Sequence, residues 1–344
     1  MAGRDKFNKE ASTEELVDDL LKQKQIASAP AAGKSAANDK DSFARTLEET
    51  LRETEEEVLR VAEVASDSSE AVSWRLSRHM VTAFQPVPWF IWRLCNYVLG
   101  KPGNIGDVSE GLVFGLKKLI IAAAGDELLG NGSKPLSVRK ALDVLEPDVV
   151  AAMAVIHAVC RRLASKPYER IWRPILDDAV LRARIGFHVG KECAEFGSGR
   201  GMLAGFAGRC GLVILISTGA EDQAKRALEM LATGSFIKNV GMSVYKCDPL
   251  QVSAMVLTAA GCGRDAAFGT VSYSVEQPLK ALSGKEQHQW LSAFSVCEAV
   301  RQSSTDSIAA KHWEILGLST DKRAALLEVS KKTLRRGHGW HWLM

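Results

Sequence analysis

The side chains of this 344-residue chain that could do acid–base, metal or nucleophilic chemistry are scattered rather than grouped. Seven histidines stand at His79, His157, His188, His288, His312, His338 and His341. None is paired with an aspartate as His-Asp, and none has the HExxH spacing that sets two imidazoles one helical turn apart around zinc. Asp177 and Asp178 could share a divalent cation only if His157 and His188 came to meet them. A solvated aspartate pair on a helix is the plainer reading. Gly197, Gly199 and Gly201 look like a phosphate cradle, but Met202 stands where GxGxxG needs its last glycine, and no GK[ST] follows. Cys210, Cys247 and Cys262 have no local histidine or acid to draw a thiolate out, so they read as buried small hydrophobes. These spacings predict no catalytic residue, no metal ligand and no cofactor.

The C-terminus combines residue types that bind rather than react. Lys331, Lys332, Arg335 and Arg336 run into Trp340 and Trp342. A basic and aromatic tail of this kind can stack on nucleic-acid bases, enter a membrane interface or fill an apolar groove. The other reading is that it folds back and caps the core, and both stay open at the level of sequence.

Across the chain, 44 Lys plus Arg against 41 Asp plus Glu leave a net charge of +3, which predicts no general affinity for polyanions. Seven cysteines, odd in number and never as CxxC, fit reduced thiols in an intracellular protein. No apolar run follows the charges of the first residues, so no secretory signal is expected. The most apolar stretch, 201–219, contains Arg209 and many small residues and reads as a buried helix rather than a transmembrane segment. A cytoplasmic protein is the expectation.

Helical spacing accounts for most of the chain, and no strand-like alternation persists, so the fold is expected to be all-α. Residues 1–41 read as a flexible arm: a short amphipathic helix with Leu16, Leu20 and Leu21 on one stripe, then an Ala/Ser/Pro/Gly tether. It is either a frayed arm or a docking helix for a protein partner. Long helices are expected over 42–65 and 70–84. The Gln85–Pro88 step and the Gly100–Ile105 turn then frame an apolar helix pair over 91–119. Further helices are expected over 149–164, 168–196, 202–217, 221–231, 235–245, 250–260, 266–273, 286–301, 304–316 and 320–334. Gly197–Gly201 reads as a flexible turn. Gly205, Gly208 and Gly211 along one helix edge predict close packing, since each glycine costs about 1 kcal/mol of helix propensity.

In the stretch 85–119, Leu94-Cys95-Asn96-Tyr97, Gly100-Lys101-Pro102-Gly103-Asn104-Ile105 and Phe114-Gly115-Leu116-Lys117-Lys118-Leu119 resemble the HDOD family, degenerate relatives of HD and HD-GYP phosphohydrolases. Later blocks occur in the family's order. Ile171-Trp172-Arg173-Pro174 resembles the tryptophan-histidine helix, with Arg173 or Pro174 at the place of the metal histidine. Ala204 to Gly211 resembles the His-Asp segment, with Gly208 and Arg209 in its place, and Tyr245 to Ala254 resembles the later histidine motif, with Pro249 for the histidine.

The resemblance implies an HDOD-like helical domain over 42–278, followed by a C-terminal helical extension over 279–344. It further implies a non-enzymatic bacterial regulatory or adaptor protein acting in signal transduction, because glycine and proline carry no ligating side chain and an arginine repels a metal. A relic pocket at Arg173, Arg209 and Tyr245 would bind an anion, for instance a nucleotide or cyclic dinucleotide. Leu16, Leu20, Leu21, Arg335, Arg336, Trp340 and Trp342 are the candidate partner contacts. Two other readings remain: a phosphohydrolase with a displaced metal site, and a nucleic-acid regulator using the basic tail.

Overall fold

A computed structural model describes residues 110–133, 135, 137–164, 166–260, 262, 264–274, 282 and 284–336. The expected helices over 42–65 and 70–84, the Gln85–Pro88 and Gly100–Ile105 turns, Leu16, Leu20, Leu21, Trp340 and Trp342 lie outside these residues.

The described residues are all-helical, with no strand among them. In chain order the helices are α1 (Glu110–Ala124), α2 (Val138–Leu142), α3 (Pro147–Leu163), α4 (Glu169–Glu192), α5 (Ser198–Thr218), α6 (Glu221–Ala232), α7 (Ile237–Val240), α8 (Pro249–Ala259), α9 (Arg264–Val271), α10 (Lys285–Arg301), α11 (Ala310–Ile315) and α12 (Thr320–Arg336). A π-helical turn, Gly241–Tyr245, continues α7, and 3-10 turns follow α9 and precede α11.

The centre is α5, buried on nearly every face and packed by α3, α4, α8, α9 and α10. It is long and apolar enough to cross a membrane by composition alone, yet 89% of its apolar window is buried inside the fold, as a core helix requires. Its neighbour α4 runs antiparallel to it. A Cβ on Gly186 would stand 1.9 Å from the carbonyl oxygen of Gly201, and one on Gly190 would stand 2.0 Å from that of Gly197. Rising four residues along α4 thus descends four along α5. Only residues without a side chain allow this approach, so the propensity lost at these glycines is offset by backbone-to-backbone packing.

Gly205 and Gly211 do mark close packing, on two different neighbours, whereas at Gly208 a Cβ would meet only ordinary van der Waals contact. Gly205 lies against the Arg182 backbone of α4, Gly211 against the Pro249 backbone of α8, and Gly208 beneath the Phe294 ring of α10. Gly197–Gly201 is not a flexible turn: Gly197 caps α5, which begins at Ser198, and Gly199 is pressed on the Asp148 backbone and donates its N–H to Asp148 Oδ2 at 2.7 Å. The glycines that suggested mobility are there because a carboxylate from α3 caps the helix start and α4 lies close by.

Other boundaries follow local chemistry. Pro147 opens α3, where a missing N–H costs nothing. The apolar run after Ile120 stops being helical at Ala124, and Asp126 Oδ1 accepts from the N–H groups of Leu128 and Leu129 to close a turn. The stretch 168–196 holds one helix, Glu169–Glu192, which carries Pro174 in its exposed early turns. The stretch 304–316 is a 3-10 turn followed by the short α11 rather than one helix.

Candidate functional site

Among the described residues, the strongest concentration of charge in the interior joins α4, α5 and α10. On α4, Asp178 and Arg182 sit one turn apart, and Arg182 Nε donates to Asp178 Oδ2 at 2.8 Å. Arg209 projects from α5 between them and α10, with Nε 3.2 Å from Asp178 Oδ2 and Nη2 3.2 Å from Glu298 Oε1. Glu298 also accepts from Arg182 Nη1 and, at 2.5 Å, from Gln302 Nε2 one turn further along α10. Arg301 closes the outer edge, its Nε donating to Asp178 Oδ1 at 2.5 Å. Three guanidiniums therefore share two carboxylates across three helices.

Burial grades from inside to outside. The side chain of Arg182 is 3% exposed, that of Glu298 11%, Arg209 15%, Asp178 18% and Arg301 39%. Desolvation alone would raise the Asp178 carboxyl, but Arg182, Arg209 and Arg301 outweigh it and hold the group below the ordinary aspartate range. Burial, and then the neighbouring Arg209, pull the Arg182 guanidinium down against the support of Glu298 and Asp178. Tyr273 stands at the rim, 41% exposed, its ring tilted on Phe294 with centroids 4.6 Å apart. Burial and then Glu298 raise its phenol, while Arg182 and Arg209 oppose them.

The three residues expected to line one relic pocket are not brought together. Arg209 is in the cluster just described. Arg173 is a half-exposed residue of α4 that pairs with Glu169 one turn back. Tyr245 ends the π-helical turn and is 5% exposed, close to Gly219 at the far end of α5. Ten residues of helix separate Gly219 from Arg209, a rise of about 15 Å. The Tyr245 hydroxyl is buried without a hydrogen-bond partner, and burial, with Asp222 and Tyr168 adding, pushes its phenol up. Pro249 opens α8 with its carbonyl against Gly211. Arg335 and Arg336 lie exposed on the last turn of α12, where Arg336 Nη2 donates to Glu127 Oε2 at 3.1 Å.

Sequence reasoning passed over Arg182, Glu298, Arg301 and Tyr273. The available signals were the four-residue spacings Asp178–Arg182 and Glu298–Gln302, which put partners on one helical face. His157 and His188 do not join Asp177 and Asp178 in a group of three or more side chains that could hold a metal ion. His157 lies over Gly115 of α1. His188 is 3% exposed, with Nε2 3.2 Å from Thr333 Oγ1 of α12, and burial, then Lys191 and Arg184, lower it to about 4 against the pull of Asp126. Among the described residues no three His, Cys, Asp or Glu side chains cluster in a way that could hold a metal ion. Cys210 and Cys247 are buried as expected, while Cys262 is half-buried.

The class these observations define is an all-α protein built on a buried antiparallel glycine-packed helix pair, with an arginine–carboxylate cluster at its side. No protein-family model matches the chain, and no curated protein matches it. It is similar to a solved structure from Shewanella amazonensis SB2B described as a "Putative phosphohydrolase", at 14% identity and a TM-score of 0.47, over 74% of this chain and 90% of that one. A likeness of that degree assigns neither family nor activity.

Proposed function

We propose that this chain is a non-enzymatic regulatory or adaptor protein of signal transduction, working through protein or small-anion binding, in a cytoplasmic setting. The observation that carries the reading is Arg209. At the position where the HDOD resemblance expects half of a metal-binding His-Asp pair, its guanidinium lies 3.2 Å from both Asp178 and Glu298. A fixed positive charge thus occupies the electrostatic place of a cation between two carboxylates, and it cannot give up its proton to vacate it. Both carboxylates spend their oxygens mainly on guanidinium and amide donors, which supports a role in holding charge rather than in ligating a metal or activating water.

Elemental analysis of the full-length protein purified without chelator, beside a phosphodiester turnover assay supplied with Mn, Fe or Zn, tests the reading. Less than one-tenth equivalent of transition metal and no turnover above a buffer blank are expected. Stoichiometric metal together with turnover that is lost on Asp178→Asn would establish the hydrolase instead. A second reading draws on α12, where Lys331, Lys332 and Arg335 are exposed within two turns of its basic end. That face suits a polyanion, and salt-dependent nucleic-acid binding lost on deleting residues 331–344 would favour it.

A further inference from the structure

The ion cluster is not balanced in charge. Arg182, Arg209 and Arg301 bring three positive charges to Asp178 and Glu298, which bring two. Arginine stays protonated in proteins, so the surplus is permanent. Buried like charges repel, and the lowering of Arg182 by Arg209 is one expression of it. The surplus is placed where an outside anion could reach it, because exposure rises from 3% at Arg182 through 15% at Arg209 to 39% at Arg301. Arg301 commits its Nε to Asp178, and the rest of its planar fork has no hydrogen-bond partner among the described residues.

The same rim carries an aromatic group. Phe294 lies one turn before Glu298 on α10 and packs over Gly208, 3.5 Å from where a Cβ on that glycine would be, immediately beside Arg209. Tyr273, 41% exposed, leans its ring on Phe294. Arg301, two turns on from Phe294 along α10, and the exposed Tyr273 packed on Phe294 together suit a phosphorylated ligand with a planar group: guanidinium forks bond phosphoryl oxygens in pairs, and an aromatic face takes a base.

We infer that this rim binds the phosphate of a nucleotide, with the uncommitted edge of the Arg301 guanidinium on the phosphoryl oxygens, Arg209 adding its charge while it stays bonded to Asp178, Glu298 and the Gly208 carbonyl, and Tyr273 against the base. The carbonyl end of α10 works against an anion here, and the surplus guanidinium charge is what overcomes it. The inference rests on the reading of the cluster as a binding centre and names its ligand class.

Isothermal titration of the full-length protein at low salt, with inorganic pyrophosphate in one arm and ATP in the other, tests it. Saturable binding of both probes at one site is expected. Arg301→Ala weakens each at least tenfold, while Arg200→Ala, at an exposed arginine paired with Glu286, changes neither by more than about twofold. Tyr273→Leu weakens ATP more than pyrophosphate. If circular dichroism shows Arg301→Ala unfolded, Arg301→Gln replaces it with the same expectation. No saturable heat from either probe overturns the inference, as does equal weakening by the Arg301 and Arg200 variants. Metal-free, inactive protein that gives no heat sinks this inference alone, whereas metal-bearing protein that turns over a phosphodiester sinks the proposed function.

Discussion

Glu298→Ala tests whether the cluster stabilises the fold or merely decorates it. Glu298 accepts from Arg182, Arg209 and Gln302, and its removal leaves three guanidiniums on Asp178 alone. Arg182, at 3% exposure, cannot turn to water for compensation. Breaking a buried pair by deleting one partner costs about 3–5 kcal/mol, because the desolvated charge left behind is unpaired. For a chain of this size a urea slope of about 3 kcal/mol per molar converts this to a midpoint shift of about 1–1.7 M. Urea unfolding at pH 7, followed by far-ultraviolet circular dichroism, reads it. Removing Arg209 as well lowers the unpaired charge by one, so Glu298→Ala with Arg209→Ala is expected to be less destabilised than the two single changes added together. A shift below about 0.3 M for Glu298→Ala is what a solvent-exposed pair would give, and would refute the account of a buried lock.

Two further outcomes follow from packing and titration. Gly186→Ala puts a methyl 1.9 Å from the Gly201 carbonyl oxygen and forces α4 and α5 apart. A loss of at least about 3 kcal/mol in urea unfolding is expected, and a near-neutral result would mean that the helices are not in backbone contact. His188 is held down to about 4 in the fold, whereas an unfolded histidine titrates near 6.5. Its contribution is therefore complete above pH about 6.5 and is lost as pH falls towards about 4, roughly 3 kcal/mol in all. His188→Gln should flatten the pH dependence of stability in that window, leaving the separate loss below pH about 4 that comes from the depressed Asp178 carboxyl. An unchanged slope between pH 4 and 6.5 would show that His188 is hydrated.

The sequence alone carried the class of fold and most helix positions, because these depend on spacings a few residues long. Pro147 at a first turn, the run of apolar residues from Met202 to Ser217 and the acidic start of α6 are local signals with local consequences. The small residues of α5 likewise announced close packing. What spacing could not give was the identity of each neighbour: Gly205, Gly208 and Gly211 meet α4, α10 and α8 respectively. Nor could it separate a glycine required by a capped helix start from one required by a mobile turn, since the Asp148 carboxylate that decides Gly199 comes from 51 residues away.

The candidate site was legible only through Arg209. A charged residue in the middle of an apolar helix must have partners, and the sequence showed the charge without the partners. Asp178 was visible but read as solvated, and Glu298, 89 residues beyond Arg209, has no local mark of burial. Arg173 and Tyr245 were placed beside Arg209 by order along the chain, and the structure puts Tyr245 at the other end of α5. Helix formation is decided by neighbours in sequence, so the sequence determined that this is an all-α protein with a buried, glycine-marked central helix. Which charges meet is decided by how the helices pack, so only the tertiary structure determined that three arginines share two carboxylates beside α5.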